Sequence, residues 1–187
     1  MYNCRNNYGG GVALLIRNCH VFTELNIRNC FNSSNDTEVI GLNFCINKTS
    51  HNLFSYYNPP NKHINYDLFE YIQKNFANFI IMGDFNAKSE IHGCENSNSN
   101  GKILEKILFN LNGMILNTKN TPTFHKYSSN SDMDYHSFID MFYGSPAYWS
   151  KIESYKVLKS KILDSTQTTQ FHSAIELKLN LQENSIH

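Results

Sequence analysis

A chain of 187 residues suits one domain with a sizeable core. Its 16 basic and 16 acidic residues cancel, so it lacks the basic excess by which most nucleic-acid binders attract a phosphate backbone. That balance speaks against a strong non-specific DNA binder but leaves room for an enzyme with a local groove.

The five cysteines are odd in number and form no C-x-x-C pair, which favours free thiols in a reducing compartment over a disulfide frame or a zinc site. No apolar stretch approaches the roughly 18 residues a membrane span needs. The first ten residues, MYNCRNNYGG, lack the apolar core of a signal peptide. The sequons at Asn32, Asn35 and Asn47 therefore carry no weight. The chain is expected inside the cell, in nucleus or cytoplasm, neither secreted nor in a membrane.

In chain order, GGGVALLIRN (9–18) reads as a glycine-rich lead-in to a strand. TEVIGLNFCIN (37–47) reads as a second strand. HNLFSYYNPP (51–60) is a third, ended by two prolines that cannot continue a ladder. A helix is predicted over about 65–78, where Leu68, Ile72 and Phe76 recur at four-residue spacing and Asp67 sits near the favourable start. FIIMG (79–83) is a short buried strand. A polar loop (88–101) leads to a second helix, about 101–112, with Ile103, Leu104, Ile107, Leu108 and Leu111 apolar. MILNT is a short strand, and 125–137 a long polar excursion. Strands are predicted over 138–144, 154–163 and 172–180. Strands outnumber helices and the helices fall between them, so an α/β layered domain is expected.

Chemistry concentrates at a few points. GDFN places Asp84 and Asn86 two residues apart after a buried strand. An extended backbone would aim both into one cleft at the strand's carboxyl end, where α/β ligands commonly bind. The plainer alternative is a polar turn. Asp140, in SFIDMFY, lies among apolar residues and needs a partner, most naturally an imidazole that it would orient. His172 opens a strand and could touch a phosphate, or be a surface histidine. Tyr56 and Tyr57 precede Asn58 and two prolines; a phenol there can donate to an anionic oxygen, while the other tyrosine packs. Asp132, Asp134 and His136 match neither a calcium loop nor a zinc pattern and read as a solvated loop.

Together GGGVALLI, EVIGLNF, SYYNPPN, FIIMGDFNA, NGKILEKILFNLNGMILNT, PTFH, SFIDMF and FHSAIEL resemble the endonuclease/exonuclease/phosphatase superfamily. More narrowly they resemble the endonuclease domain of non-LTR retrotransposons. The likeness runs from about Arg5 to Leu179. It implies a four-layered α/β sandwich, two mixed β-sheets flanked by helices, in a single domain over 1–187. It also implies Mg2+-dependent hydrolysis of a phosphodiester, with DNA as the nicked substrate and a reverse transcriptase on a longer or separate polypeptide. By motif, Asp84 would hold the metal or deprotonate the attacking water. Asn86 would position that water and bind a phosphate oxygen, and His172 would hydrogen-bond the scissile phosphate. Asp140 would orient His172, and Tyr57 would contact the phosphate.

Two departures temper the likeness. The family's first strands, one bearing an Asn and one ending in a metal-binding Glu, lie upstream of the glycine-rich segment. Here the domain is expected to be incomplete at its N-terminus, and Glu24 and Glu38 do not match that motif. The last motif, Ser-Asp-His in the family, reads Gln170-Phe171-His172, with Asp164 eight residues upstream. An incomplete metal-ligand set and a chain that folds poorly alone or needs a partner are the corresponding expectations. The alternatives to an active endonuclease are a degenerate remnant that at most binds nucleic acid, and a phosphatase of the same superfamily.

Overall fold

The structure is a computed structural model. It describes residues 2–3, 11–18, 20–27, 30, 38–118, 121–126, 135–158 and 170–181. Its centre is a six-stranded mixed sheet of β3 (Phe22–Leu25), β4 (Glu38–Ile46), β5 (Thr49–Tyr57), β6 (Phe79–Asp84), β10 (Asp140–Gly144) and β7 (Met114–Ile115), hydrogen-bonded in that order. Neighbours run antiparallel except β5 and β6. That parallel pair needs a crossover, and α1 (Tyr66–Asn75) supplies it.

Both faces of the sheet are covered, and the strands alternate accordingly. Val39, Phe54, Tyr56, Phe79, Ile81, Met141 and Tyr143 point one way, against Leu68, Phe69 and Ile72 of α1 and Leu104 and Ile107 of α2 (Ser99–Asn110). On the other face, Ile40 and Leu42 meet Val12 and Leu14 at β2 (Val12–Ala13), which pairs with β1 (Tyr2–Asn3). Further along that face, Ile80 and Phe142 meet the ribbon of β11 (Ile152–Leu158) and β13 (Ala174–Leu179), through Tyr155, Val157, Ile175, Leu177 and Leu179. A separate three-stranded sheet joins β12 (Gln170–His172), β8 (Phe124–Lys126) and β9 (Tyr135–Ser137). The fold is thus mixed α/β with a large mixed sheet and few helices, as the sequence predicts.

Asparagines set the helix starts. Asn65 accepts from Leu68 N at 3.2 Å to begin α1. Asn98 accepts from Gly101 N at 2.7 Å and from Lys88 N at 3.0 Å, so one side chain caps α2 and ties it to the loop after β6. A Cβ on Gly101 would lie 1.7 Å from Lys88 O, so only glycine admits that close approach.

Several boundaries differ from the sequence reading. The polar excursion at 125–137 begins and ends in strands β8 and β9. The single strand predicted over 172–180 is two, broken at Ser173. β3 goes unpredicted because its side chains are mostly exposed at a sheet edge. The strand predicted over 154–163 starts at Ile152; its residues 159–163 lie outside the described set, as do Asp132, Asp134 and Asp164. A cavity of about 290 Å³ lies between Leu14 and Ala174, floored by Met82 and Phe142, with Asp140 in its wall. Among the described residues, no helix is long and apolar enough to cross a membrane.

Candidate active site

The site begins with strand register. Asp84 ends β6 and Asp140 starts β10, and the two are directly opposite each other. Residues opposite in a ladder share a face, so both carboxylates leave the sheet on the same side at the same end. On the other flank of Asp84 stands Tyr57, and beyond Tyr57 stands Glu38. The row Glu38, Tyr57, Asp84, Asp140 therefore crosses four neighbouring strands.

Like charges directly opposite destabilise a sheet unless something answers them. Here the answer is His172, the last residue of β12. Its Nδ1 lies 3.0 Å from Asp140 Oδ2 and 3.2 Å from Oδ1. A carboxylate only accepts, so Nδ1 carries the proton and donates it. Nε2 then faces Asp84, 4.0 Å from Oδ2. The ring meets Phe124 of β8 edge-on, centroids 5.0 Å apart. The hydrogen bond to Asp140, above all, raises the imidazole's pKa against the opposing effect of burial. Asp84 is pushed up to about 6, chiefly by burial and then by the charge of Asp140, with donors from Asn86 and the charge of His172 offsetting part of that rise.

Asn86 corrects the extended-strand picture of GDFN. β6 stops at Asp84, and Asn86 adopts a left-handed backbone with φ of 46°. Asparagine tolerates that region better than most residues. Its N–H donates to Asp84 Oδ1 at 2.8 Å, and its side-chain amide donates to Asp84 Oδ2 at 3.0 Å and to Asn58 O at 2.9 Å. Asn98 in turn donates to Asn86 O at 2.9 Å. The turn and the candidate cluster are one object: Asn86 braces the carboxylate that precedes it.

The two tyrosines separate cleanly. Tyr56 is buried, packs edge-on against Phe69 and Phe85, and donates to Asn58 Oδ1 at 3.2 Å. Tyr57 is on the site face. Phe171 lies on the opposite face of β12 from His172, stacked on His125 with centroids 4.9 Å apart. His125 and His136, opposite each other on β8 and β9, approach at 2.9 Å between Nδ1 atoms on that outer face.

The structure therefore gathers Asp84, Asn86, Asp140, His172 and Tyr57 at one end of one sheet. It adds Glu38, 4% exposed, which the sequence reading sets aside. The signal for it is present in EVIGLNF: Glu38 is in phase with Ile40 and Leu42, hence on an inward face. Asp84, Asp140 and His172 each offer a ligand atom, all within 4.8 Å of one another, a group able to hold a metal ion.

The profile of the endonuclease–reverse transcriptase family matches residues 51–176. Among solved structures, the endonuclease domain of TRAS1, a telomere-specific non-LTR retrotransposon, superposes with a TM-score of 0.71 at 20% identity, covering 90% of this chain and 73% of that one. The 3′ phosphatase NExo from Neisseria, bound to a product DNA hairpin, gives a TM-score of 0.57 at 12% identity, covering 76% of this chain and 64% of that one. At such identities the likeness is one of fold. No curated protein sequence matches the chain.

Proposed function

Because this chain belongs to the endonuclease–reverse transcriptase family, we propose that it hydrolyses a phosphodiester bond of DNA, nicking one strand with the help of Mg2+. The observation that carries the reading is the constellation itself: two register-matched carboxylates, one of them holding an imidazole whose far nitrogen faces the other.

Mg2+ prefers one or two carboxylates, completed by water and substrate phosphate. The donor set fits. Asp84 and Asp140 crowd two acidic groups into one place, and the rise in the Asp84 pKa is in part that crowding. Those two carboxylates would hold the cation, which would supply charge stabilisation at the phosphate oxygens.

The chain's own residues supply the rest. Without the cation, the Asp84 carboxyl group, with a pKa of about 6, is a stronger base than an ordinary aspartate and is still mostly ionised at neutral pH; a bound cation would lower it. Asp84 takes a proton from water as the water oxygen forms its bond to phosphorus and the bond to the departing sugar oxygen breaks. That sugar oxygen takes a proton from solvent. His172, with Nδ1 held by Asp140, presents Nε2–H to a non-bridging oxygen, where charge grows. Asn86 fixes the Asp84 carboxylate through two donors, and Tyr57 lies beside it for the phosphate.

Purified chain incubated with supercoiled plasmid should give Mg2+-dependent nicks that EDTA abolishes, and the Asp84→Ala/His172→Ala double variant should give none. Folded chain that leaves the plasmid intact would overturn the nuclease reading. DNA binding that persists in that case would favour a remnant that only binds, and phosphate release from a 3′-phosphorylated oligonucleotide would favour a phosphatase.

A further inference from the structure

We propose that Thr123 is a positioning residue that sets the contact between Asp140 and His172. The inference rests on the reading of that pair as catalytic. It gives a role to the PTFH stretch, which the mechanism leaves unused.

Thr123 is fully buried. Its Oγ1 accepts from Asp140 N at 3.0 Å and from Ile139 N at 3.3 Å. Its own N–H donates to Ser137 O at 3.0 Å, and its carbonyl accepts from Ser173 N at 2.6 Å. One residue thus binds the backbone on both sides of the dyad: the segment that runs into Asp140, and the residue directly after His172.

The arrangement has a reason. β9 ends at Ser137 and β10 begins at Asp140, so the chain between them leaves one ladder before joining the next. The main-chain amides of Ile139 and Asp140 are bound there by a side chain. A hydroxyl has two acceptor sites, and Thr123 spends both on these amides. A threonine is stiff at χ1, so the oxygen stays where the fold puts it. The break at Ser173, which splits the C-terminal segment into β12 and β13, is fastened to the same residue. The backbones of Asp140 and His172 meet no common ladder, since β10 pairs with β6 and β7 while β12 pairs with β8. Thr123 joins the two through its hydrogen bonds to Ile139, Asp140 and Ser173.

The test uses full-length, metal-free chain. The His172 Nδ1–H that donates to Asp140 should give a downfield proton signal at low temperature. Thr123→Val keeps the shape and removes the acceptor; it should lose or displace that signal and lower nicking about tenfold or more, since misplacements of about 1 Å can cost on the order of 100-fold. Thr123→Ser keeps the oxygen and should restore both. A folded Thr123→Val chain with an unchanged signal would overturn the proposal. If that variant does not fold, amide exchange in the unaltered chain decides. Ile139 and Asp140 protected like the strand amides support the bridge, and exchange as fast as an exposed loop removes it. A signal that responds as expected in a chain that never nicks DNA upholds Thr123's role and removes the nuclease reading alone.

Discussion

Two histidines at opposite ends of the large sheet carry opposite electrostatics. His51 lies near the start of β5, 2% exposed, with Nδ1 2.7 Å from the hydroxyl of Tyr148 and its ring stacked on Phe44. Burial is the main cause that lowers its pKa, with Lys151 adding to the effect. His172 lies at the other end, is partly exposed, and is raised by its carboxylate partner. Nothing intrinsic to imidazole separates them. Burial beside a neutral hydroxyl lowers the ring's pKa, and a carboxylate partner raises it. The first end of the sheet is settled packing. The second gathers two acids and an imidazole whose ligand atoms lie within 4.8 Å of one another.

The sharpest way to break this contrast is to remove a charge from the second end. Asp84→Asn should reduce nicking by at least about 100-fold, within the range of general-base contributions. The same change should stabilise the fold. Asp84 rises from 3.8 to about 6 on folding, so the native state binds more protons than the unfolded state between those values, and stability falls as pH rises through them. At pH 7 that loss is about 3 kcal/mol. Urea unfolding of metal-free Asp84→Asn should show an increase approaching that size above pH 6 and little difference near pH 3. An equal or lower stability at pH 7 would mean the two ends do not differ in strain.

The first end should respond the other way. His51→Ala leaves the Tyr148 hydroxyl without its partner in a buried site, and should destabilise by about 2–4 kcal/mol while activity per folded molecule stays unchanged. The pH dependences follow by sign. His51 is depressed, so its contribution is present above the unfolded pKa of 6.5 and is lost as pH falls through its folded value. His172 is raised, so its contribution is present below 6.5 and is lost as pH rises through its folded value. Proton NMR titration of the two rings should place His172 above 6.5 and His51 below it. The smallest effect belongs at the margin of the site, where Lys88 Nζ lies 4.7 Å from the ring centre of Tyr135. Lys88→Ala should cost about 0.5–1 kcal/mol at this partly exposed place, measured by urea unfolding.

The strand ends that bear chemistry are legible in the sequence because their motifs are local. GDFN follows an apolar strand, IDMF sits inside one, and the asparagines, prolines and glycines near them mark the turns. What composition and periodicity withhold is lateral. Register places Asp140 against Asp84 and adds Tyr57 and Glu38 to the row, and register is a property of two strands at once. Asn86 misleads the extended-strand reading because its conformation follows from hydrogen bonds to Asp84 and Asn58, which a period-two pattern does not contain. β3 escapes notice because an exposed edge strand has no apolar alternation to display. The outer pair His125 and His136 escapes because eleven residues separate two side chains that touch.

The sheet order also sets when the site can exist. β10 is inserted between β6 and β7, although α2 and both strands of that gap precede it in the chain. The β6 side of the large sheet stays open until residue 140 arrives, and His172 lies 32 residues further on. Pairings between distant parts of a chain are slow to form because the loop must close before the contact rewards it. In a growing polypeptide, helix α1 and the β4–β5 hairpin can form early, while the acidic pair and its imidazole assemble last. The candidate site is therefore incomplete until the scaffold is nearly finished. A chain released before residue 172 carries two opposed carboxylates with no imidazole to answer them.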